Sequence, residues 1–142
     1  AEDSTETRGF FIEDDGGFQK PMEYWIGAMV FTPDAKMLIT GSRDNTIRFF
    51  EMPTMNELRV VRGHNGWVRS LVVSPDGKVL ISAGDDNTIR FWDIATGRNF
   101  RTDKTHGGAV RGIALSPDGL RLASASWDRT VKLWEGGVEP AE

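Results

Sequence analysis

Several features are missing from this 142-residue chain, and each absence excludes a class of function. Cysteine is absent, which excludes a disulfide scaffold, a thiolate metal site, a cysteine nucleophile and covalent haem attachment. No apolar run approaches the roughly 18 residues that a membrane span needs, and no signal peptide is visible. A basic surplus is also missing, because the formal net charge is -4. These absences predict a soluble, cytoplasmic protein with no nucleic-acid or membrane partner.

The sequence also lacks the motifs that carry catalysis or hold a cofactor. It has no phosphate-cradling glycine motif and no unique nucleophile beside a base. The acidic run at 13–15 lacks the alternating ligands of a calcium loop and is interpreted as a solvated turn. We therefore expect a protein that is not an enzyme, with no cofactor and no metal.

What the chain does contain is an internal repeat. The stretch "DDNTIRFWDIATG" at 85–97 has counterparts in "RDNTIRFFEMPTM", which begins at residue 43, and "WDRTVKLWEGGVE", which begins at residue 127. Three triplets are each spaced by 42 residues: Asp44, Asp86 and Asp128; Pro33, Pro75 and Pro117; Phe50, Trp92 and Trp134. A fixed period of about 40–45 residues is typical of repeat architectures.

Each period has the alternating apolar pattern of strands. In the second repeat, residues 67–74, 79–84 and 88–94 are predicted strands, followed by a weaker one at 99–102. The intervening "SPDG" suits a turn, because Pro75 fixes its own φ and Gly77 accepts a positive φ. The sequence therefore predicts an all-β chain in which each period is a four-stranded antiparallel meander, with no helix.

The repeats carry further matched residues, and three phased copies are specific where a lone Trp-Asp pair is not. The second repeat holds Gly63-His64, Ser74-Pro75-Asp76-Gly77, Asp86 and Trp92-Asp93, and the third holds His106, Ser116-Pro117-Asp118-Gly119, Asp128 and Trp134-Glu135. On these residues the chain resembles the WD-repeat β-propeller family over about 24–135. The resemblance implies a propeller of four-stranded antiparallel blades, with three blades in this chain.

The resemblance also implies a buried hydrogen-bond network in each of the two better-matched blades. Its members by position are His64, Ser82, Asp86 and Trp92 in the second repeat, then His106, Ser124, Asp128 and Trp134 in the third. Ser, His and Asp together suggest a hydrolase triad, but this set recurs with the repeat whereas an active site is normally single. We therefore expect a structural role, in which each buried polar group satisfies another.

The first repeat departs from this pattern. Met22 replaces the His, Ala35 the turn Gly, Thr40 the Ser and Phe50 the Trp, so that only Asp44 remains. We expect this blade to lack the network and to depend on apolar packing.

The blade count predicts an incomplete ring. Blades are assigned to 22–63, 64–105 and 106–135, with the third lacking its own fourth strand and with a flexible tail at 136–142. Propellers have about four to eight blades, so three leave two apolar faces bare. We expect copies of the chain to complete the ring, with a six-bladed dimer favoured over a nine-bladed trimer. The alternatives are a fragment of a larger WD-repeat protein whose propeller regulates or localises an attached enzyme, or an engineered repeat protein.

The N-terminal segment, 1–21, is a candidate for closing the propeller ring. Family propellers commonly lend an N-terminal outer strand to the last blade, and the resemblance implies this role for Phe10, Phe11, Ile12 and Glu13. In an oligomer that strand would be lent to another chain. The alternative is a terminal tail packed on the surface.

The resemblance finally implies a protein or peptide partner on one ring face. The positions lie at the start of each first strand and in the turn between the second and third strands. They hold Trp25, Gly27, Trp67, Arg69, Ala109 and Arg111, then Arg43, Asp85 and Trp127. Trp and Arg are enriched at binding hot spots, and their pairing suits a peptide with carboxylate or phosphate groups. Packing against their own blades is the alternative for Trp25 and Trp67, whereas Trp127 should face water.

Overall fold

A computed structural model describes residues 20–137, and within this range it contains strands and no helix. Sheet 1 comprises β1 (Ile26–Phe31), β2 (Met37–Ser42), β3 (Ile47–Glu51) and β4 (Asn56–Val61). Sheet 2 comprises β5 (Val68–Val73), β6 (Val79–Gly84), β7 (Ile89–Asp93) and β8 (Asn99–Asp103). Sheet 3 comprises β9 (Val110–Leu115), β10 (Arg121–Ser126) and β11 (Val131–Glu135). Neighbours in sequence are neighbours in each sheet and run antiparallel, which confirms the prediction of an all-β chain of meanders.

The repeated turns explain why each period folds in the same way. In sheet 2 the Ser74 hydroxyl donates to Asp76 Oδ1 at 2.6 Å, and the Lys78 amide donates to the same oxygen at 3.0 Å. These two hydrogen bonds hold the pKa of Asp76 below its usual value. The Gly77 amide then donates to the Ser74 carbonyl and closes the turn. Gly77 has a φ of 76°, a left-handed conformation that glycine adopts without strain. The chain therefore reverses direction at this point in every repeat.

The three sheets stack in chain order, and the core lies between them. Their first strands are adjacent, since β5 packs against both β1 and β9. One apolar cluster, which includes Phe49, Leu71 and Trp92, joins sheets 1 and 2. A second cluster, which includes Ile81 and Leu122, joins sheets 2 and 3. Every residue of β6 is buried, because sheet 2 is covered on both of its faces.

The outer sheets expose apolar side chains at positions that sheet 2 buries. Met29 on β1 is 60% exposed, whereas its repeat equivalent Leu71 is 7% exposed. Leu133 on β11 is 63% exposed, whereas its equivalent Phe91 is 4% exposed. Val131 is exposed where its equivalent Ile89 is buried, and Phe31 is exposed where its equivalent Val73 is partly buried. We call the face with Met29 and Phe31 flank 1, and the face with Val131 and Leu133 flank 3.

Flank 1 is exposed only along its first strand. Leu38 and Phe50 lie on the same side of sheet 1 but are buried, and the Lys20 ammonium lies 5.7 Å from the Phe50 ring centroid. The free apolar surface of flank 1 is therefore the inner strip formed by β1.

Sheet 3 is one strand shorter than the other two within residues 20–137. β3 pairs with β4 and β7 pairs with β8, whereas β11 pairs only with β10. The proposed closing strand, Phe10 to Glu13, lies outside the described residues. In the part of the chain that the structure describes, no helix has the length and apolar character needed to cross a membrane.

Candidate partner-binding face

One backbone hydrogen bond per sheet brings the predicted binding positions together. The Arg43 amide donates to the Trp25 carbonyl, the Asp85 amide to the Trp67 carbonyl and the Trp127 amide to the Ala109 carbonyl, each at 2.9 Å. The strand pairing shifts register beside each of these bonds. The start of each first strand and the turn after each second strand therefore meet at the same end of every sheet.

At the junction of sheets 1 and 2, an arginine lies beside two tryptophans. The Arg43 guanidinium carbon is 5.1 Å from the Trp25 ring centroid and 5.6 Å from that of Trp67. The two indole rings are 6.4 Å apart and tilted by 49°. Gly27 permits this packing, because a Cβ atom there would lie 2.4 Å from Trp67 Nε1. Trp67 is thus partly buried at the junction, whereas Trp25 is 68% exposed.

At the junction of sheets 2 and 3, two arginines converge on one carboxylate. Arg69 donates through Nε and a terminal nitrogen to Asp85, at 3.1 and 3.0 Å. Arg111 Nε lies 3.2 Å from Asp85 Oδ1, an ion pair without the alignment of a hydrogen bond. Each guanidinium also stacks on a tryptophan, Arg69 on Trp67 and Arg111 on Trp127, both with the guanidinium carbon 3.6 Å from the ring centroid.

Together these side chains form one continuous row across the three sheets, which we call the Trp–Arg row. In spatial order it contains Trp25, Arg43, Trp67, Arg69, Asp85, Arg111 and Trp127. Its two ends are open, since Trp25 and Trp127 are each 68% exposed. The structure thus brings all seven predicted face residues together and places Trp127 in solvent.

In the second repeat the predicted His, Ser, Asp and Trp side chains form a continuous hydrogen-bond network. His64 Nδ1 lies 3.1 Å from both carboxylate oxygens of Asp86, and His64 Nε2 lies 2.7 Å from Ser82 Oγ. The Trp92 indole N–H donates to the same hydroxyl at 2.8 Å. Ser82 is fully buried and bonded on both sides, so its hydroxyl has no access to a substrate.

The third repeat has the same arrangement. His106 lies 2.9 Å from Asp128 Oδ2 and 2.7 Å from Ser124 Oγ, to which the Trp134 indole N–H donates at 3.2 Å. Hydrogen bonds from Thr130 and His106 hold the pKa of Asp128 well below its usual range. For Asp86, burial opposes ionisation, but the bonds from His64 and the Asn65 amide outweigh burial and hold that pKa low as well.

The first repeat has a different polar cluster that the repeat comparison did not predict. Asp44 accepts hydrogen bonds from the hydroxyls of Ser42 and Thr46, and Arg48 approaches the same carboxylate at 3.4 Å. Thr40, at the position of Ser82, has a buried hydroxyl that finds no hydrogen-bond partner among residues 20–137. Asp44 is thus satisfied locally, whereas Thr40 is left without the His and Trp that its equivalents bind.

Within residues 20–137 no group of three or more His, Asp or Glu side chains is arranged to hold a metal ion.

Comparison with known proteins adds a family model and solved structures. The family model described as WD domain, G-beta repeat matches residues 20–51, 55–93 and 97–135. Two solved structures, one of U3-55K and one of the RRP9 WD40 repeats, are each 28% identical in sequence over 82% of this chain, with a TM-score of 0.77. The chain spans 37% of the length of each of these two proteins.

Proposed function

Because this chain belongs to the WD40 repeat family, whose model matches all three of its sheets, we propose that it is a non-catalytic scaffold that holds a protein or peptide partner. The observation that carries the proposal is the Trp–Arg row. It crosses all three sheets on one face, and its exposed tryptophans are of the residue type most enriched at binding hot spots. The partner is expected to lie along this row.

Selection of peptide ligands on the native chain tests this role. Ligands recovered from a displayed random library should lose about tenfold or more in affinity for Trp127→Ala, because truncation removes an exposed aromatic anchor. Leu58→Ala is the matched control, since Leu58 is also exposed but lies on β4, away from the row. Ligands that bind Trp127→Ala and Trp25→Ala as tightly as the native chain would contradict the proposed face.

We further propose that the three blades are completed by a second copy of the chain. Flank 1 and flank 3 expose apolar side chains at positions where the middle blade buries them. In a twofold ring, flank 3 of one protomer covers flank 1 of its partner at both junctions, so a single contact geometry closes six blades. Among the described residues no strand pairs with the outer edge of β11, which supports the companion proposal that Phe10 to Glu13 of the partner subunit supplies its fourth strand.

The second candidate is a part of a larger WD-repeat protein whose propeller regulates or localises an attached enzyme. The observation that favours it is the length of the solved relatives, of which this chain spans 37%. In that case further blades of the longer protein cover the two flanks.

Mass in solution, measured over a range of concentrations by sedimentation velocity, separates these assemblies. A dimer with twice the mass of one chain supports the six-bladed ring, and three times that mass supports a nine-bladed ring. A folded monomer at all concentrations removes self-association and leaves the larger WD-repeat protein as the source of further blades.

A further inference from the structure

We propose that the Trp–Arg row binds an anionic peptide segment, with the Arg43 guanidinium as the principal anion-binding group. The proposal rests on the proposed function, since it names the chemistry of the partner that the scaffold holds. It follows from the charge balance of the row, from the way its arginines are held, and from the surfaces left open beside them.

The charge of the row is opposite in sign to that of the whole chain. The row itself contains three guanidinium groups and one carboxylate, Asp85, which pairs with Arg69 and Arg111, while the chain as a whole carries -4. Arg69 and Arg111 share that carboxylate, so their combined positive charge is only half neutralised. A local positive surplus on an acidic protein attracts a partner that carries negative charge.

Among the described residues, Arg43 contributes a charge that no acidic side chain pairs with. Within residues 20–137 its guanidinium makes no hydrogen bond or ion pair, although it is exposed and contacts two indole rings. Two acidic residues lie near it, Glu23 and Asp44, which line the same shallow hollow. The Asp44 carboxylate is already engaged by Ser42, Thr46 and Arg48. An incoming carboxylate or phosphate therefore meets Arg43 with donors unused.

Stacking on tryptophan prepares the arginines for recognition of anions. At 3.6 Å from the ring centroids, Arg69 and Arg111 lie against the indole faces of Trp67 and Trp127. Because guanidinium N–H groups lie in the plane of the group, stacking on an indole face leaves them free of the ring; in Arg69 two of the donating nitrogens are engaged by Asp85, and in Arg111 Nε is buried. These groups bind carboxylate and phosphate oxygens in pairs, and stacking reduces the entropy lost on binding.

The row favours a peptide over a nucleic acid. Single-stranded nucleic acids also stack on tryptophan, but they need a basic groove that follows the backbone past several nucleotides. Here the basic groups are three, one carboxylate lies among them, and the net charge of the chain is negative. The open faces of Trp25 and Trp127 instead suit the aliphatic or aromatic side chains of a peptide that carries acidic groups between them.

Fluorescence anisotropy with defined probes tests the inference on the native chain. The probes are fluorescein-labelled hexaglutamate, a phosphoserine peptide of the same length, hexaglutamine and an oligouridylate. Hexaglutamate or the phosphoserine peptide should bind, and Arg43→Glu should weaken that binding by about tenfold or more through charge repulsion. Arg98→Glu is the matched control, because Arg98 is exposed in the β7–β8 turn at the opposite end of sheet 2.

Which anionic probe binds more tightly decides whether carboxylate or phosphate is preferred, and either result supports the inference. Binding of hexaglutamine equal to that of hexaglutamate, equal losses in Arg43→Glu and Arg98→Glu, or tighter binding of oligouridylate than of both anionic peptides would each overturn it. A failure of this inference is distinguishable from a failure of the proposed scaffold role. Neutral peptides that bind the native chain and lose affinity in Trp127→Ala would retain the binding face while removing its preference for anions.

Discussion

At the scale of single residues, identical repeat positions place similar side chains in different environments. Ser82 receives a hydrogen bond from Trp92 and bonds His64, so its buried hydroxyl is satisfied. Thr40 is also buried 42 residues earlier, but the repeat positions of His64 and Trp92 hold Met22 and Phe50 there, which offer no polar group of the same kind. An unsatisfied buried hydroxyl is destabilising, whereas a satisfied one is costly to remove.

Substitution of Thr40 and of Ser82 should therefore have opposite effects. Thr40→Val keeps the shape of the side chain and removes the unpaired hydroxyl, so we expect the free energy of unfolding to rise by about 1 kcal/mol. Ser82→Ala leaves His64 Nε2 and the Trp92 indole N–H without their shared hydrogen-bond partner, so we expect the free energy of unfolding to fall by about 1–3 kcal/mol. Urea unfolding of both variants measures the difference. Loss of stability in Thr40→Val comparable to that in Ser82→Ala would contradict the account.

The Asp86 carboxylate should make stability depend on pH. Its pKa is lower in the folded chain than the ordinary value of about 3.9, so its contribution is present above about pH 4 and is lost as pH falls further. Asp86→Asn should be less stable than the native chain at pH 7 by about 1–3 kcal/mol, and the gap should narrow at pH values below about 4.

Urea unfolding at pH 7 and at acid pH checks this, with Glu135→Gln as the control. Glu135 is exposed and its ion pair to Arg121 is long, at 3.9 Å, so the control should change stability by less than about 0.5 kcal/mol. A gap for Asp86→Asn that stays constant from pH 7 downward would show that the charge of Asp86 is not the cause.

At the scale of elements, the turns between first and second strands differ in one residue. Gly77 and Gly119 have positive φ values of 76° and 75°, and Ala35 occupies the same conformation with a φ of 62°. A side chain in this left-handed region costs about 1–2 kcal/mol, which glycine avoids. Space is not the constraint at Gly77, because a Cβ there would lie 3.6 Å from Pro33.

Exchange of these two turn residues isolates the backbone effect. Ala35→Gly should raise the free energy of unfolding by about 0.5–1 kcal/mol, after the greater freedom of glycine in the unfolded chain is counted. Gly77→Ala should lower it by about 1 kcal/mol. Thermal and urea unfolding give both values. Destabilisation by Ala35→Gly would mean that the alanine methyl contributes packing that outweighs the strain.

The strands were predictable because their limits are encoded locally. The turn residues predicted a strand at 79–84, and β6 has these bounds in the structure. The weaker strand predicted at 99–102 is one residue longer in the structure, since β8 ends at Asp103. The resemblance to the WD-repeat family, carried onto the matching positions, pointed to the seven residues of the Trp–Arg row. Their stacking was not predictable, because the approach of Arg69 to Trp67 depends on the register shift at the start of β5. The sequence also did not predict the Asp44 cluster. The hydroxyls of Ser42 and Thr46 reach the Asp44 carboxylate only in the folded turn between β2 and β3.

At the scale of the whole molecule, the central claim concerns the two flanks. Sheet 2 shows what a blade of this chain looks like when it is covered on both faces, and of its equivalents of the flank residues three are buried and Val73 is partly buried. In the proposed ring, the flanks are blade interfaces that the additional blades cover. Burial of such apolar surface is the main driving force for association of further blades.

Disruption of one flank should prevent association without unfolding the chain. Leu133→Asp places a charge in the centre of flank 3, and burying it there is unfavourable, so the dimer should dissociate to monomers. Leu58→Asp, at an exposed position outside both flanks, should leave the dimer intact. Sedimentation velocity measures the mass and circular dichroism checks the fold. Equal effects of the two variants would contradict the role of flank 3.

The contact between neighbouring turns offers the most direct test of ring closure. A Cβ at Gly119 would lie 2.9 Å from Pro75 Cδ of the preceding sheet, and one at Gly77 would lie 3.6 Å from Pro33 Cδ. By the same 42-residue offset, Ala35 of one protomer should meet Pro117 of its partner in a closed ring. Because the chain has no cysteine, pairs of introduced cysteines report on these contacts without background.

The decisive measurement is therefore oxidation of the Ala35→Cys, Pro117→Cys double variant, with products resolved by mass spectrometry under denaturing conditions. The Pro75→Cys, Gly119→Cys variant serves as the intramolecular control and should form its bond within a single chain. We predict a covalent species with twice the mass of one chain for the first pair and none for the second. A first pair that stays reduced and monomeric while the control pair closes would contradict completion of the ring by a second copy.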